Sequence, residues 1–375
     1  MKFSCTQENF QQGLSIVSHL AGRNANLAIL SNILICVQDK LVTLSATNLE
    51  IGVSTQVRAS VETEGSLAVD ARLLAEYVNL LPRERIELEV IDGELFISCG
   101  SHHTKIKGVD ATDFPLLPTI SREQPFIVSP LELRDGIQKV AFAAAHLETR
   151  PQISGVCLNF SKNKLITAAT DGYRLAEYQI TRADEVVADQ KVIVPAKTLQ
   201  EISRIIGVFK DIDATHQLEL YVTDNQLLAS YNGTELISRL IEGNYPEYEA
   251  SFPERIETNV IVPTDAFIKA VKTVGLFTQL GVQDIRLELQ APDSVMVSAS
   301  SVTSGESQVQ LSAQTNNNLI VILNYRFLLD GLQNCSSDEI SLEFTTPNDP
   351  CLLKPQGSDV YRYIIMPIKQ DVVVG

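Results

Sequence analysis

The sequence predicts an α+β protein made of three tandem copies of one domain, and three recurring features carry that prediction. First, three segments end alike, ATDFP at 111–115, GNYP at 243–246 and IIMP at 364–367; their prolines Pro115, Pro246 and Pro367 stand 131 and 121 residues apart. Second, one helix-opening pattern returns as LAVDARLLAEYVNLL from 67, VIVPAKTLQEISRII from 192 and VILNYRFLLDGLQNC from 321, with starts 125 and 129 residues apart. Third, the hairpin IELEVIDGEL at 86–95 matches LELYVTDNQL at 218–227, with ISLEFTTPND at 340–349 a weaker relative. A period this long is a whole domain, far beyond a solenoid unit.

Each copy opens with an amphipathic helix. Phe10, Leu14, Val17 and Ala21 fall on one stripe, as do Leu133, Ile137, Val140 and Ala144, and then Phe267, Val271 and Val274. This is the spacing of a single buried face. With the second marker it predicts helices near 6–20, 70–81, 129–145, 195–206, 263–278 and 324–334. Ser129 and Asp265 stand where N-caps are useful. Alternation in GELFISC puts Leu95, Ile97 and Cys99 on one strand face. Asp92-Gly93 and Asp224-Asn225 tolerate the positive φ of tight hairpins. The order per copy is strand, helix, strands, helix, strands. Pro- and charge-rich joints at 115–130 and 245–259 divide the chain into domains 1–120, 121–250 and 251–375.

The composition excludes several classes. The chain is 45% hydrophobic and 20% charged, enough to bury real cores over its 375 residues. No run approaches the ~18 apolar residues of a membrane span, and MKFSCTQENF lacks the layout of a signal peptide. A soluble, cytoplasmic protein with no membrane partner is expected. The six cysteines, at 5, 36, 99, 157, 335 and 351, have no metal-binding spacing and read as buried free thiols. His102 and His103 are adjacent on a predicted strand and point to opposite faces, which disfavours a shared metal. No phosphate-loop, dinucleotide, zincin or nucleophile-elbow motif occurs. A hydrolytic site from His102, Asp110 or Asp113 has no motif behind it, so no catalytic residue, metal or cofactor is expected. The formal net charge of −16, from 46 acids and 30 bases, argues as an average against nucleic acid.

Particular motifs point the other way. MKF at the start, ATDGYRLA at 169–176, VIVPAK at 192–197, GNYPEY at 243–248 and YIIMPI at 363–368 resemble the bacterial sliding-clamp family, the β subunits of DNA polymerase III, from residue 1 to about 369. The resemblance implies three DNA-clamp domains, each with two helices on an inner face and antiparallel sheets outside. It implies a head-to-tail homodimer encircling double-stranded DNA without sequence preference. It also implies a non-catalytic processivity factor, whose partners are the polymerase III catalytic subunit, the clamp loader and other proteins with a clamp-binding motif. The alternative is an acidic three-domain interaction scaffold that never encircles DNA.

On the expected inner helices the bases are Arg72, Arg134, Lys139, Lys197, Arg204, Lys269, Lys272 and Arg326; the acids are Glu8, Asp70, Glu76, Glu132, Asp135, Glu201, Asp265 and Asp330. The helical wall is therefore formally neutral, and the remainder of the chain carries the negative charge. By resemblance Arg23, in the AGRN loop, Arg72, Lys197, Asn324 and Arg326 match DNA-facing positions, although Ala28 replaces a usual proline after that loop. A clamp that slides holds phosphates weakly, because each firm contact adds a counterion-release grip.

The resemblance also implies a partner-peptide pocket from Ile153, Thr170, Gly172, Tyr173, Arg174, Leu175, Pro246, Ile364, Met366, Pro367 and Ile368. An apolar cleft with a few polar groups suits a linear peptide. Met366 is an adaptable wall. Ala250, Ser251 and Asn348 depart from common clamp residues here, and the tail Gln370–Gly375 extends past the usual end. The dimer seam is implied at Ile106, Leu276 and Phe277, with Thr104 where an aromatic residue occurs in relatives.

Overall fold

The computed structural model describes residues 1–22, 27–145, 149–161, 164–181, 189–213, 216–279, 281 and 283–369. Six α-helices occur among these residues: α1 Gln7–Val17, α2 Ala71–Leu80, α3 Pro130–Val140, α4 Ala196–Ile206, α5 Thr264–Gly275 and α6 Tyr325–Gln333. Their apolar stripes are the predicted ones except at the C-terminal ends: Ala21 lies beyond α1 and is half-buried, and Ala144, though buried, lies beyond α3. Phe10, Leu14, Val17, Leu133, Ile137, Val140, Phe267, Val271 and Val274 are all buried, each contributing about 2 kcal/mol by leaving water.

Local chemistry sets the helix ends. The Thr6 hydroxyl accepts from Asn9 N (3.3 Å) to start α1. Asp70 accepts from Leu73 N (2.8 Å) to start α2. Asn324 accepts from Arg326 N (2.9 Å) and Phe327 N (3.3 Å) to start α6. Asp265 is not a cap: Pro263 holds the N-cap of α5, and Asp265 lies in the first turn, where its charge still meets the positive helix end. The third helix stops at Val140 and continues as a 3₁₀ turn, Ala141–Ala143, short of the predicted 145. Gly275, the last residue of α5, lets that helix pack closely on α6, because a Cβ there would stand 2.7 Å from the Tyr325 ring.

Contacts divide the chain into two compact units, one from residues 1–132 with 201–240 and one from the remainder. The first holds a 13-stranded antiparallel sheet, in which strand Thr234–Arg239 of the second repeat pairs with Ile51–Val57 of the first. Thr234 lies opposite Thr55, with their hydroxyls 2.7 Å apart, and Ile237 lies opposite Gly52. The other unit holds a nine-stranded and a four-stranded sheet. In the larger, Arg174–Thr181 of the second repeat pairs with Tyr361–Ile365 of the third, Leu175 opposite Ile364. Each joint between repeats is thus a continuous sheet rather than a tether. Tyr245 and Tyr248, in the stretch read as a linker, are buried against Leu175, Leu352 and Ile364.

The hairpin signals fared unequally. Asp92 and Gly93 adopt φ of 50° and 77° as expected. Asp224 and Asn225 do not enter the left-handed region; Thr223 closes their turn by accepting from Gln226 N (3.2 Å). The left-handed pair comes one hairpin later, at Asn232 and Gly233, with φ of 48° and 72°.

Leu95, Ile97 and Cys99 share a buried face as predicted. Five cysteines are buried and Cys36 is half-buried, all as free thiols. Burial pushes the thiols of Cys5 and Cys157 up to about 12 and that of Cys335 to about 11, whereas unfolded thiols ionise near about 8.5. Between these values the unfolded chain has lost protons that the folded one keeps, so stability is full below pH ~8.5 and falls as pH rises. Urea titrations from pH 8 to 10.5 should show this decline, with Cys157→Ala removing about 1.4 kcal/mol per pH unit of the slope above pH 9.

Candidate functional site

Of the cations expected to face DNA, Lys197 on α4, Lys269 and Lys272 on α5 and Arg326 on α6 are exposed and form no ion pair among the described residues. Arg72 is exposed but lies 2.8 Å from Glu76. Asn324 is half-buried, its side-chain oxygen used as the α6 cap. Arg23 lies outside the described residues.

Three other cations are turned inward. Lys139 sits 3.0 Å from Asp135 and 4.8 Å from the centre of the Tyr178 ring. Arg134 is half-buried, with its Nε shielded from solvent. Arg204 donates to the carbonyls of Ser15 (2.8 Å) and Ile16 (2.6 Å) and forks onto Glu201, with Nη2 at 2.7 Å. Those carbonyls lie in the last turn of α1, where intrahelical donors run out. Glu201 is itself buried and also meets His19 Nδ1 at 2.9 Å. Arg204 is thus a tie between α4 and α1.

This pairing changes the charge balance of the helices. Asp135, Glu201, Asp330 and Glu76 each meet a cation, Glu8 lies 3.6 Å from Arg83, and Asp70 is a cap. What remains exposed and unpaired among the described helical residues is Lys197, Lys269, Lys272 and Arg326 against Glu132 and Asp265. The formally neutral set is basic at its surface. Counting helices alone also missed Arg83 and Lys210, which line a polar groove of about 570 Å³ beside α1 with Gln7, Gln11 and Gln12. Both lie in connecting segments, beyond the reach of helical periodicity.

The expected pocket residues lie within the second unit. The turn at 170–174 is a side-chain-built loop. The Asp171 Oδ1 accepts from Tyr173 N (2.9 Å) and Arg174 N (3.1 Å); the Thr170 hydroxyl accepts from Gly172 N (3.0 Å) and donates to Arg174 O (2.6 Å). Gly172 takes φ +91°, which only glycine adopts freely. Met366 N donates to Tyr173 O (2.9 Å), fastening the C-terminal segment to this turn. Leu175 and Ile364 pack in one buried apolar cluster, Ile153 and Pro367 are also buried, Gly172, Tyr173, Pro246 and Met366 are exposed, and Ile368 is half-buried. Tyr173 is 68% and Met366 39% exposed. The turn therefore presents an aromatic ring and a thioether beside that apolar cluster.

Arg174 holds this loop from below. Its Nε meets Asp171 at 3.0 Å, one Nη bonds Asp330 of α6 and the other donates to Phe142 O at 3.1 Å. Its guanidinium also lies 4.6 Å from the Phe327 ring centre. Asn348 is exposed, and the tail from Gln370 lies outside the described residues.

At the expected seam, Leu276 is exposed and Phe277 half-buried, but Ile106 is buried in the first unit, opposite Leu95. His102 and His103 are both exposed on strand His102–Val109, whose residues 102–107 pair on one side only among the described residues. In the other unit Gly305–Ser312 is an outermost strand. Among the described residues no cluster of three metal-ligating side chains occurs, and no helix is long and apolar enough to cross a membrane.

Three family models match the chain in tandem: DNA polymerase III beta subunit, N-terminal domain, at residues 1–118; central domain, at 128–247; and C-terminal domain, at 250–369. The chain is 28% identical over 376 residues to a beta sliding clamp of Synechococcus elongatus, covering 98% of this chain and 99% of that one. It is 27% identical over 380 residues to a beta sliding clamp of Staphylococcus aureus, with the same coverage. A solved structure of a putative DNA polymerase III beta subunit from Eubacterium rectale is 26% identical, with a TM-score of 0.91 over 99% of this chain and 100% of that one.

Arg174 makes the loop's stability testable. Arg174→Ala leaves Asp171 and Asp330 without the cation they share and should lower stability by about 3 kcal/mol in urea unfolding. Arg174→Lys should recover less than half of that loss, since an ammonium cannot reproduce the planar fork.

Proposed function

The chain belongs to the bacterial DNA polymerase III beta subunit family and is a DNA sliding clamp; from this premise we propose that it closes as a head-to-tail homodimer around duplex DNA. Three clamp domains, with six helices and antiparallel sheets, follow from the family match. We place their boundaries at 120/121 and 250/251. The observation that carries ring closure is the pair of open strand edges. Residues 102–107 and the strand Gly305–Ser312 each offer backbone groups with no second strand partner among the described residues, and such edges are covered or paired in stable proteins. A heterologous contact between one chain's first edge and its partner's second closes after two copies. Leu276 and Phe277 add apolar surface to this seam. Ile106, already buried in its own chain, supports the strand rather than the contact.

In this reading Lys197, Lys269, Lys272 and Arg326 face the phosphates, with Arg72 alternating between Glu76 and DNA. Few unpaired cations give a loose electrostatic hold that permits sliding, and encirclement supplies retention. The role is non-catalytic and cytoplasmic. The clamp tethers the polymerase, the clamp loader delivers it, and each partner docks an apolar peptide between Tyr173 and Met366 over the Leu175–Ile364 floor.

Topology tests the ring. Loaded on nicked circular DNA, the protein should remain bound in salt that strips ordinary binders, and should leave once the circle is linearised. Equal loss from circular and linear DNA would favour the acidic scaffold instead. For the pocket, Met366→Ala should weaken a polymerase-derived peptide at least about tenfold by fluorescence anisotropy, with the dimer unchanged in sedimentation. An unaltered affinity would remove Met366 from the site.

A further inference from the structure

The joint between the first and second repeats reproduces, bond for bond, the turn that shapes the pocket between the second and third. In ATNLEIG at 46–52 the Asn48 Oδ1 accepts from Glu50 N (3.0 Å) and Ile51 N (2.8 Å). The Thr47 hydroxyl accepts from Leu49 N (3.0 Å) and donates to Ile51 O (3.0 Å). Thr47, Asn48, Leu49 and Ile51 therefore stand where Thr170, Asp171, Gly172 and Arg174 stand one repeat later. The register agrees: Gly52 faces Ile237 as Leu175 faces Ile364.

Two substitutions distinguish this copy. Leu49 holds φ +74° at the position of Gly172, a conformation that a leucine side chain opposes. It is also 51% exposed, so no core burial offsets that strain. Gly52, in place of Leu175, leaves room on the strand, and Leu117 lies over it; a Cβ at Gly52 would be 2.6 Å from the Leu117 side chain. The result is a groove of about 440 Å³ beside Leu116, which is 96% exposed. Glu50 and Arg239 stand at its rim and form no ion pair among the described residues.

We infer that this groove is a second docking site, for an extended peptide whose apolar residues lie between a basic and an acidic one. Leu49, Leu116 and Ile237 take the apolar side chains, Glu50 takes the cation and Arg239 the carboxylate. A strained, exposed leucine beside two unpaired rim charges of opposite sign is poorly suited to stability alone. It suits an occupant that covers the leucine and neutralises both charges. The inference rests on the peptide reading of the other joint, whose turn it shares, but it uses none of the same residues.

The test uses the full-length dimer carrying Met366→Ala, which takes the other pocket out of play. The probe is a fluorescein-labelled pentapeptide, lysyl-leucyl-seryl-leucyl-glutamate, acetylated and amidated. Saturable binding of one probe per chain is expected. Adding Leu116→Asp, at a side chain that touches no core, should weaken it about tenfold or more. Leu49→Gly should weaken it as well while raising the melting temperature, because glycine relieves the backbone and removes the apolar wall. Glu50→Lys should lose the probe and regain affinity for a version with glutamate in place of its lysine. No binding to the Met366→Ala protein, or binding that Leu116→Asp leaves unmoved, overturns the inference. If Met366→Ala loses nothing while Leu116→Asp loses everything, the other pocket's reading fails and this one stands. A concentration-dependent doubling of mass abolished by Leu116→Asp gives the surface to a second copy and overturns the peptide assignment.

Discussion

Antiparallel pairing across the joints between repeats is the constraint on which the rest depends. A sheet register is specified to one residue, because a slip by one turns every side chain to the opposite face. When Arg174–Thr181 pairs with Tyr361–Ile365, it fixes the 170–174 turn against the residues that follow Ile365. The exposed Tyr173 and Met366 are neighbours for that reason, although 193 residues separate them in the chain. The same device at the first joint fixes Leu49 relative to Ile237. Joining repeats by backbone hydrogen bonds also removes four strand edges per chain from solvent, two at each joint.

Two arginines reinforce these joints by the same chemistry in different units. Arg204 binds two carbonyls at the end of α1 and a buried carboxylate; Arg174 binds a carbonyl, two carboxylates and an aromatic face. A guanidinium has five donors in a rigid plane, so one side chain satisfies several acceptors of fixed geometry without having to be ordered anew for each. Such a residue is lost to any ligand. The distinction between a binding arginine and a structural one is set by which acceptors lie within reach, which residue type alone does not reveal.

That is why the architecture was legible in the sequence and the site only in part. All six helices and their buried stripes follow from spacing, since burial of Phe10 or Val271 is dictated by a period local to the helix. Hairpin chemistry was readable at Asp92-Gly93 and misleading at Asp224-Asn225, where the hydroxyl of the preceding Thr223 offered a competing closure. The family resemblance implies Ile106 as seam surface, yet the strand turns it inward. Leu49 was invisible, because a leucine carries no sign of a left-handed conformation; only the hydrogen bonds that it shares with the Gly172 turn disclose the equivalence. The relevant partners lie across the sheet and outside any sequence window.

The charge of the molecule illustrates the same limit. A net −16 averages over groups that never meet the same ligand. Sorting by helix yields neutrality, and sorting again by partner yields a basic remainder, since Asp135 of α3, Glu201 of α4 and Asp330 of α6 sit within bonding distance of cations from their own unit. A pair within about 3 Å presents little field beyond a Debye length of about 8 Å at physiological salt, whereas an unpaired lysine does. What a polyanion meets at the helices is therefore set by four unpaired cations against the two unpaired acids Glu132 and Asp265, and most of the acidic total acts elsewhere, disfavouring contact with DNA over the rest of the surface. An acidic protein that handles DNA thus requires segregation of its charge rather than an excess of bases.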